Sequence, residues 1–227
     1  MATSARSRAP QQAPRSTPSR RPRRGGRPTS EQTAQLTADL REAALELFLE
    51  HGFEGTSLDA IARAAGTTKV SVYARFDDKE SLFVSVVQWA TGRPDWPVPE
   101  PPAPDLDDLE GALRAIAETA VRRATHPDMV KLTRIAVAEA TRFPDLAEQA
   151  SAAGWPRKQL VVDLLARHAA TGAIEADEPE ILAEHFLGLV SGMPARLASF
   201  GIVRRPAVQR RYTGVAVDLF LRGLRPR

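Results

Sequence analysis

The chain has 227 residues, 43% of them hydrophobic and 26% charged, with a formal net charge of +3. This composition is typical of a globular protein with a sizeable core. The chain has no cysteine, which excludes a disulfide framework, a thiolate metal site and a cysteine nucleophile. Apolar runs are shorter than the roughly 18 residues of a membrane span, and no apolar signal segment follows the N-terminal arginines, so we expect a cytoplasmic protein with no membrane partner.

The positive charge is concentrated at the N-terminus. Residues 1–28 hold eight arginines, five prolines and no acidic residue, whereas the remaining chain carries 23 basic and 28 acidic side chains. Such a segment buries too little apolar surface to offset the entropy lost on ordering, so we predict a disordered arm. Arg24 and Arg27, beside glycine and proline, suit a narrow minor groove. The alternative is a solubilising tail that touches phosphates without sequence preference.

Four helices are predicted in residues 29–92. Ser57 is suited to cap the second helix, and glycines at 52 and 66 are suited to end the first and second. Two short helices joined by a tight turn at Gly66 form a helix-turn-helix unit. The predicted spans are about Thr33–His51, Leu58–Ala65, Thr68–Arg75 and Lys79–Ala90.

The third of these helices carries the chemistry of a DNA reader. In a helix-turn-helix unit the second helix enters the major groove and reads bases near its N-terminal end. Lys69 can reach guanine O6 and N7, and hydroxyl groups can bond phosphates or base edges. Lys79 begins the next helix and can reach flanking phosphates. A short polar helix is also commonly plain solvated surface, and spacing alone does not separate the two.

A set of residues between positions 43 and 83 follows a fixed order and spacing: Ala44, Leu47, Phe48, Gly52, Phe53, Thr56, Ser57, Ile61, Ala62, Ala65, Gly66, Tyr73, Phe76, Lys79 and Leu82. In this order and spacing the stretch resembles the DNA-binding domain of the TetR family of bacterial transcription regulators. The resemblance implies an all-α homodimer whose N-terminal head binds an operator, with Thr56, Ser57, Thr68, Lys69, Ser71, Tyr73 and Lys79 at DNA-contacting positions. Val70 departs from the pattern, because relatives often hold glycine or another small residue there, and this affects the expected base preference.

A proline-rich segment separates this head from the rest of the chain. Residues 92–104 hold six prolines in 13 positions, which no regular helix tolerates. We therefore assign residues 93–104 to a linker and residues 105–227 to a helical body for effector binding and dimerisation. No alternating strand pattern occurs, so the predicted fold is all-α. The body helices are predicted at about 105–125, 128–142, 145–170, 179–200 and 206–223, with a kink at Gly154-Trp155-Pro156.

The last two predicted helices are candidates for a dimer interface. Their apolar residues repeat at three- and four-residue steps, and helix pairs of this kind from two subunits can form a four-helix bundle. The alternative is core within one chain. The predicted interface residues are Leu182, Phe186, Leu189, Met193, Val208, Tyr212, Val215 and Leu219.

A pocket for a small-molecule effector is implied by the resemblance alone. The default effector is apolar or aromatic, and its binding would favour a head separation that releases a palindromic operator. Each candidate residue is also compatible with ordinary core packing. The candidates are Trp89, Trp96, Met129, Phe143, Trp155, His185 and Phe186.

The sequence contains no recognisable catalytic set. The four histidines lie far apart and form no ligand pair, and a glycine-rich phosphate loop is missing. We therefore predict a regulator that is not an enzyme and needs no metal or cofactor. Its partners are double-stranded DNA, a small effector and a second copy of the chain. The competing hypothesis is an architectural protein that coats DNA through its basic arm.

Overall fold

A computed structural model describes residues 30–143 and 158–225 of the chain. Within these two ranges the regular structure is entirely helical, which confirms the all-α prediction. The predicted disordered arm and the predicted kink at Gly154-Trp155-Pro156 lie outside the described residues. The helices are α1 (Ser30–His51), α2 (Leu58–Ala64), α3 (Lys69–Tyr73), α4 (Lys79–Gly92), α5 (Leu109–Ala124), α6 (Pro127–Glu139), α7 (Lys158–Ala170), α8 (Pro179–Leu187), α9 (Met193–Ser199) and α10 (Pro206–Gly223).

Side-chain caps set the starts of several helices. Ser57 accepts a hydrogen bond from the backbone N–H of Ala60 at the start of α2, and Asp108 does the same for Gly111 at the start of α5. Asp78 and Ser81 form a reciprocal capping box at the start of α4. The caps satisfy backbone donors that have no partner within their own helix. As a result α5 begins at Leu109, later than predicted, because its first turn is fixed by Asp108.

The helix predicted over residues 179–200 is present, but it is not a regular α-helix throughout. A π-helical turn at Gly188–Gly192 separates α8 from α9. Pro194 provides the physical reason, because its ring lacks an N–H and clashes with the carbonyl four residues earlier in a regular α-helix. The π-helical turn, with its i→i+5 hydrogen bonds, is wider than an α-helical turn and gives the proline ring room.

The first hydrophobic core holds α1 to α4 together. Phe48 and Phe83 meet edge to face with ring centroids 5.0 Å apart, and Phe53 lies 5.1 Å from Phe83. Val72 of α3 is fully buried in the same cluster. Leu132 of α6 also packs there, so a helix that follows the proline-rich segment completes the core of the head.

The second core lies in the C-terminal half of the chain. It is built from α5, α7, α8, the π-helical turn and α10. Phe186 of α8 has no exposed surface, and its ring lies 5.0 Å from that of Phe220 in α10. These packed helices form the body, to which the head is attached.

Two arginines connect the body to the head. Arg123, in the last turn of α5, donates hydrogen bonds to the carbonyl oxygens of Thr91, Arg93 and Pro94 at the end of α4. Arg142, just after α6, pairs with Glu54 in the loop between α1 and α2, and lies 3.6 Å from Glu80 in α4. The orientation of the head therefore depends on two groups of polar contacts in addition to the shared apolar core.

Candidate DNA-binding surface

The turn between α2 and α3 sets the angle of the third helix. Gly66 has φ +63°, a left-handed conformation that favours glycine. The backbone N–H of Thr67 then donates to the carbonyl of Ala62 at 2.8 Å, which closes the end of α2. Thr68 follows as the N-cap of α3 and accepts from the N–H of Ser71. Hydrogen bonds therefore fix both the end of α2 and the start of α3.

The buried and exposed faces of α3 are sharply different. Val72 is fully buried and anchors the helix to the core. Residues on a helix rotate by about 100° each, so Val70 lies almost opposite Val72. Val70 is 79% exposed, and Lys69 and Tyr73 beside it are also exposed. This outer face is free to enter a groove.

Lys69 is held by an intramolecular ion pair in this structure. Its ammonium group donates to the Asp59 carboxylate at 3.0 Å and lies 6.0 Å from the centre of the Tyr73 ring. The hydrogen bond with Asp59 raises the pKa of Lys69 above its ordinary value. Exposed ion pairs are weak, because water screens them. Lys69 can therefore exchange Asp59 for a base or phosphate at little cost.

Three of the predicted hydroxyl contacts lie at the rim of this surface. Ser57 and Thr68 are exposed N-caps, and the hydroxyl of Ser71 lies 3.0 Å from that of Thr68. Capping uses the oxygen of Ser57 and of Thr68 as an acceptor. The hydroxyl hydrogen of Ser57 remains available to donate to phosphate, as does one of the two hydroxyl hydrogens of the Thr68–Ser71 pair.

Thr56 and Lys79, two of the predicted DNA contacts, form hydrogen bonds within the head in this structure. Thr56 is only 3% exposed, and its hydroxyl donates to the carbonyls of Leu47 and Gly52. Lys79 donates to the carbonyl of Phe53 at 2.9 Å, and its ammonium lies 4.2 Å from the centre of that ring. Both side chains are therefore committed to the loop that follows α1, where they hold the head together.

Two of the predicted DNA contacts are not described by the structure, and one exposed residue of α3 was not predicted as a contact. Arg24 and Arg27 lie outside the described residues. Val70 was not among the predicted contacts, although at 79% it is more exposed than Tyr73 at 49%. Its position two residues before the buried Val72 was the available signal, because that spacing places the two side chains on opposite faces of a helix.

The predicted effector residues do not form a single cluster. Trp89, Trp96 and Phe143 pack against the first core, whereas Phe186 is buried in the second. Met129 is half-buried on α6, His185 is exposed, and Trp155 lies outside the described residues. A shallow depression between α5 and α10 contains none of these side chains. Its lining residues are Arg114, Glu118, Arg210, Thr213, Gly214 and Val217.

The predicted dimer residues divide into exposed and buried groups. Phe186 is a correction, because its complete burial against Phe220 places it in the core of one protomer. Leu182, Leu189 and Tyr212 are half-buried. Exposed apolar side chains remain on α9 and α10, and they leave a surface that a second copy can cover. These exposed side chains are Met193, Val208, Val215 and Leu219.

Metal and membrane features can be assessed for the described part of the chain. In residues 30–143 and 158–225, no group of three or more histidine, cysteine, aspartate or glutamate side chains is arranged to hold a metal ion. None of the helices described in those ranges combines the length and apolar character needed to cross a membrane.

Comparison with protein families identifies the class. Residues 40–86 match the bacterial regulatory proteins of the tetR family, which covers the helix-turn-helix unit described above. Residues 111–224 match the C-terminal domain of AefR-like transcriptional repressors. Together the matches cover the first core and most of the body. The chain belongs to the TetR family of transcriptional regulators.

Individual relatives agree with this assignment. The chain is 33% identical over 91 residues to the HTH-type transcriptional repressor SCO4008 of Streptomyces coelicolor, over 40% of this chain and 44% of that protein. It is 42% identical over 45 residues to IcaR of Staphylococcus aureus, the negative transcriptional regulator of the biofilm operon icaADBC, over 20% of this chain and 24% of that protein. The matched stretches thus span less than half the length of these curated relatives.

Solved structures extend the similarity to nearly the whole fold. The flavonoid-responsive regulator FrrA is 32% identical and superposes with a TM-score of 0.69, over 86% of this chain and 99% of its own. A TetR-family regulator from Mesorhizobium loti, described as putative, has the same TM-score at 24% identity, over 86% of this chain and 98% of that one. The second match concerns the fold alone.

Proposed function

We propose that the protein is a homodimeric transcriptional repressor that acts in the cytoplasm, binds a palindromic DNA operator and releases it when a small apolar or aromatic molecule binds the body. The observation that carries this proposal is the helix-turn-helix surface, in which Val72 anchors α3 while Lys69, Val70 and Tyr73 project outward. This arrangement has the form that major-groove recognition requires. The curated relatives are named as a repressor and a negative regulator, which supports repression.

The exposed apolar side chains of α9 and α10 support dimerisation. A row of such residues is costly to leave in water, and covering it with a second copy removes that cost. Two-fold symmetry would present two α3 helices to successive major grooves, about 34–36 Å apart. Sedimentation of the full chain at micromolar concentration tests this directly. We expect a dimer that dissociates when Val215 and Leu219 are both replaced by glutamate, whereas a monomeric wild type would contradict the assembly.

The two arginine connections suggest how the body can act on the head. Arg123 binds the end of α4, and Arg142 binds Glu54 and Glu80. A ligand that moves α5 or α6 would move these contact points and change the separation of the two heads. Such a ligand shifts the equilibrium only by its difference in affinity for the two states. FrrA is named as flavonoid-responsive, which supports an aromatic effector.

The first experiment is selection of bound duplexes from random DNA with the full chain at physiological salt. A repressor of this kind enriches a two-fold-symmetric site. We expect Lys69→Ala to relax the preference at one base pair in each half-site by about tenfold, whereas Lys131→Ala, a change of an exposed lysine on α6, leaves it unaltered. Retention of DNA without an enriched sequence would instead favour the architectural hypothesis, in which the arginine-rich arm coats DNA.

The effector class has a separate test on the selected site. We expect a flavonoid to release the labelled duplex, with an aliphatic molecule of similar size as the control. Equal release by both would exclude an aromatic requirement. Retention of the duplex with both would contradict an apolar or aromatic effector, without affecting the assignment of DNA binding.

A further inference from the structure

Val70 is the most exposed of the large hydrophobic side chains in the part of the chain that the structure describes. At 79% exposed, it is more accessible than the exposed apolar residues of the body, such as Phe200 at 72%. A single exposed apolar residue is common on protein surfaces and carries no assignment by itself. The position of Val70 within the helix-turn-helix unit is what gives its exposure meaning.

The outermost ridge of α3 is apolar. A rotation of about 100° for each residue places Val70 and Ala74 on either side of the direction directly opposite the buried Val72. Both are exposed, and they lie one helical turn apart. The same rotation places the polar side chains of Lys69 and Tyr73 together on one side of this ridge and Ser71 on the other. When the helix enters a groove, the ridge approaches the base edges first, and the flanking groups approach the walls.

The major groove presents one apolar group of matching size, the C5-methyl group of thymine. The valine side chain has no donor or acceptor. Opposite the edge of a guanine, it would remove water from N7 and O6 without replacing the hydrogen bonds that the water made, which is unfavourable. Opposite thymine it would bury two apolar surfaces together.

We propose that Val70 is a specificity-determining residue that contacts the C5-methyl group of one thymine in each half-site. This inference rests on the proposed function, since it requires an operator that α3 reads. It also gives a physical consequence to the valine at position 70, where relatives often hold glycine or another small residue. Glycine has no side chain with which to contact a methyl group.

The test uses deoxyuridine, which differs from thymidine only by lacking that methyl group. Once the selected site is known, each thymine in a half-site is replaced in turn, and the dissociation constant of the full chain is measured at fixed salt. At one position we expect the affinity to fall about fourfold for each half-site changed, the effect of removing one buried methyl group. Changing both half-sites of the dimer should lower the affinity about fifteenfold.

Variants at position 70 assign the contact to this residue. In Val70→Ala we expect thymine and deoxyuridine to bind equally at that position, because the side chain no longer reaches the methyl group. Val70→Thr keeps one methyl group and should retain part of the discrimination. Val137→Ala, a change of an exposed valine on α6, serves as the matched control and should discriminate like the wild type.

The outcomes separate this inference from the function on which it rests. If deoxyuridine binds like thymidine at every position, or if Val70→Ala discriminates as strongly as the wild type, Val70 is not the contact while the operator-binding function stands. If selection enriches no sequence, both fail. Because Val70 is almost fully exposed, its variants should melt at the wild-type temperature, and an unchanged melting temperature shows that a loss of discrimination is not due to unfolding.

Discussion

Replacing Arg123 by methionine tests the connection between the head and the body. Arg123 is only 7% exposed, and its guanidinium donates to the carbonyls of Arg93 at 2.7 Å, Pro94 at 2.9 Å and Thr91 at 3.2 Å. Methionine retains most of the apolar stem but provides no donor. The substitution therefore leaves carbonyl oxygens at the end of α4 without their cationic partner.

The size of the effect follows from these contacts. A hydrogen bond from a charged donor contributes about 1.5–3 kcal/mol, and contributions that share one side chain do not add fully. A cation at a helix C-terminus adds roughly 0.3–1 kcal/mol. We expect the free energy of unfolding to fall by about 3 kcal/mol, which for a chain of this size lowers the melting temperature by roughly 6–12 °C.

Thermal unfolding followed by circular dichroism measures this change. The full chain should be used at one fixed concentration, because dimerisation makes the melting temperature depend on concentration. Arg122→Met is the matched control, since Arg122 is the adjacent residue in the same helix but is exposed. Equal melting temperatures for the two variants would refute the reasoning, because burial of the guanidinium against α4 would then contribute nothing.

Three further predictions concern the head and the arm. Thr56→Val should lower the free energy of unfolding by about 1–2 kcal/mol, since it removes the donor to two backbone carbonyls. The control is Thr133→Val, at an exposed threonine of α6, and a urea titration that gives the same free energy of unfolding for both variants would contradict this. Lys79→Met should destabilise the protein by about 1 kcal/mol through loss of the bond to the Phe53 carbonyl, and denaturant midpoints will distinguish it from Lys131→Met, which should be neutral. Deletion of residues 1–28 should lower DNA affinity and flatten the slope of log K against log salt by about 0.9 for each phosphate that the arm neutralises; titrations at several salt concentrations that give an unchanged slope would exclude a role for the arm.

Local features of the head could be read directly from the sequence. Ser57 was identifiable as a helix cap and Gly66 as the turn residue, because each depends on neighbours within three or four positions. The interruption at Gly188–Gly192 was missed because apolar periodicity continued through it, while the backbone responded to Pro194.

The role of a polar side chain was harder to predict than its location. Thr56 and Lys79 occupy the positions that the resemblance implied, yet their polar atoms bind backbone carbonyls of the loop that follows α1. Thr56 has a second partner nine residues away, the carbonyl of Leu47 in α1, and Lys79 finds its partner 26 residues away. Sequence spacing carries no information about partners at such distances.

The sequence by itself determined the all-helical class and the helix-turn-helix unit, because these depend on local periodicity, caps and turn residues. Its resemblance over residues 43–83 indicated the family. Only the tertiary structure decided that Leu132 completes the core of the head, that Arg123 holds the end of α4, and that Phe186 lies inside one protomer. Each of these depends on contacts between helices that are distant in the sequence. An apolar or basic residue looks the same in sequence whether it faces its own core, a partner or DNA, and the packing of the helices chooses among them.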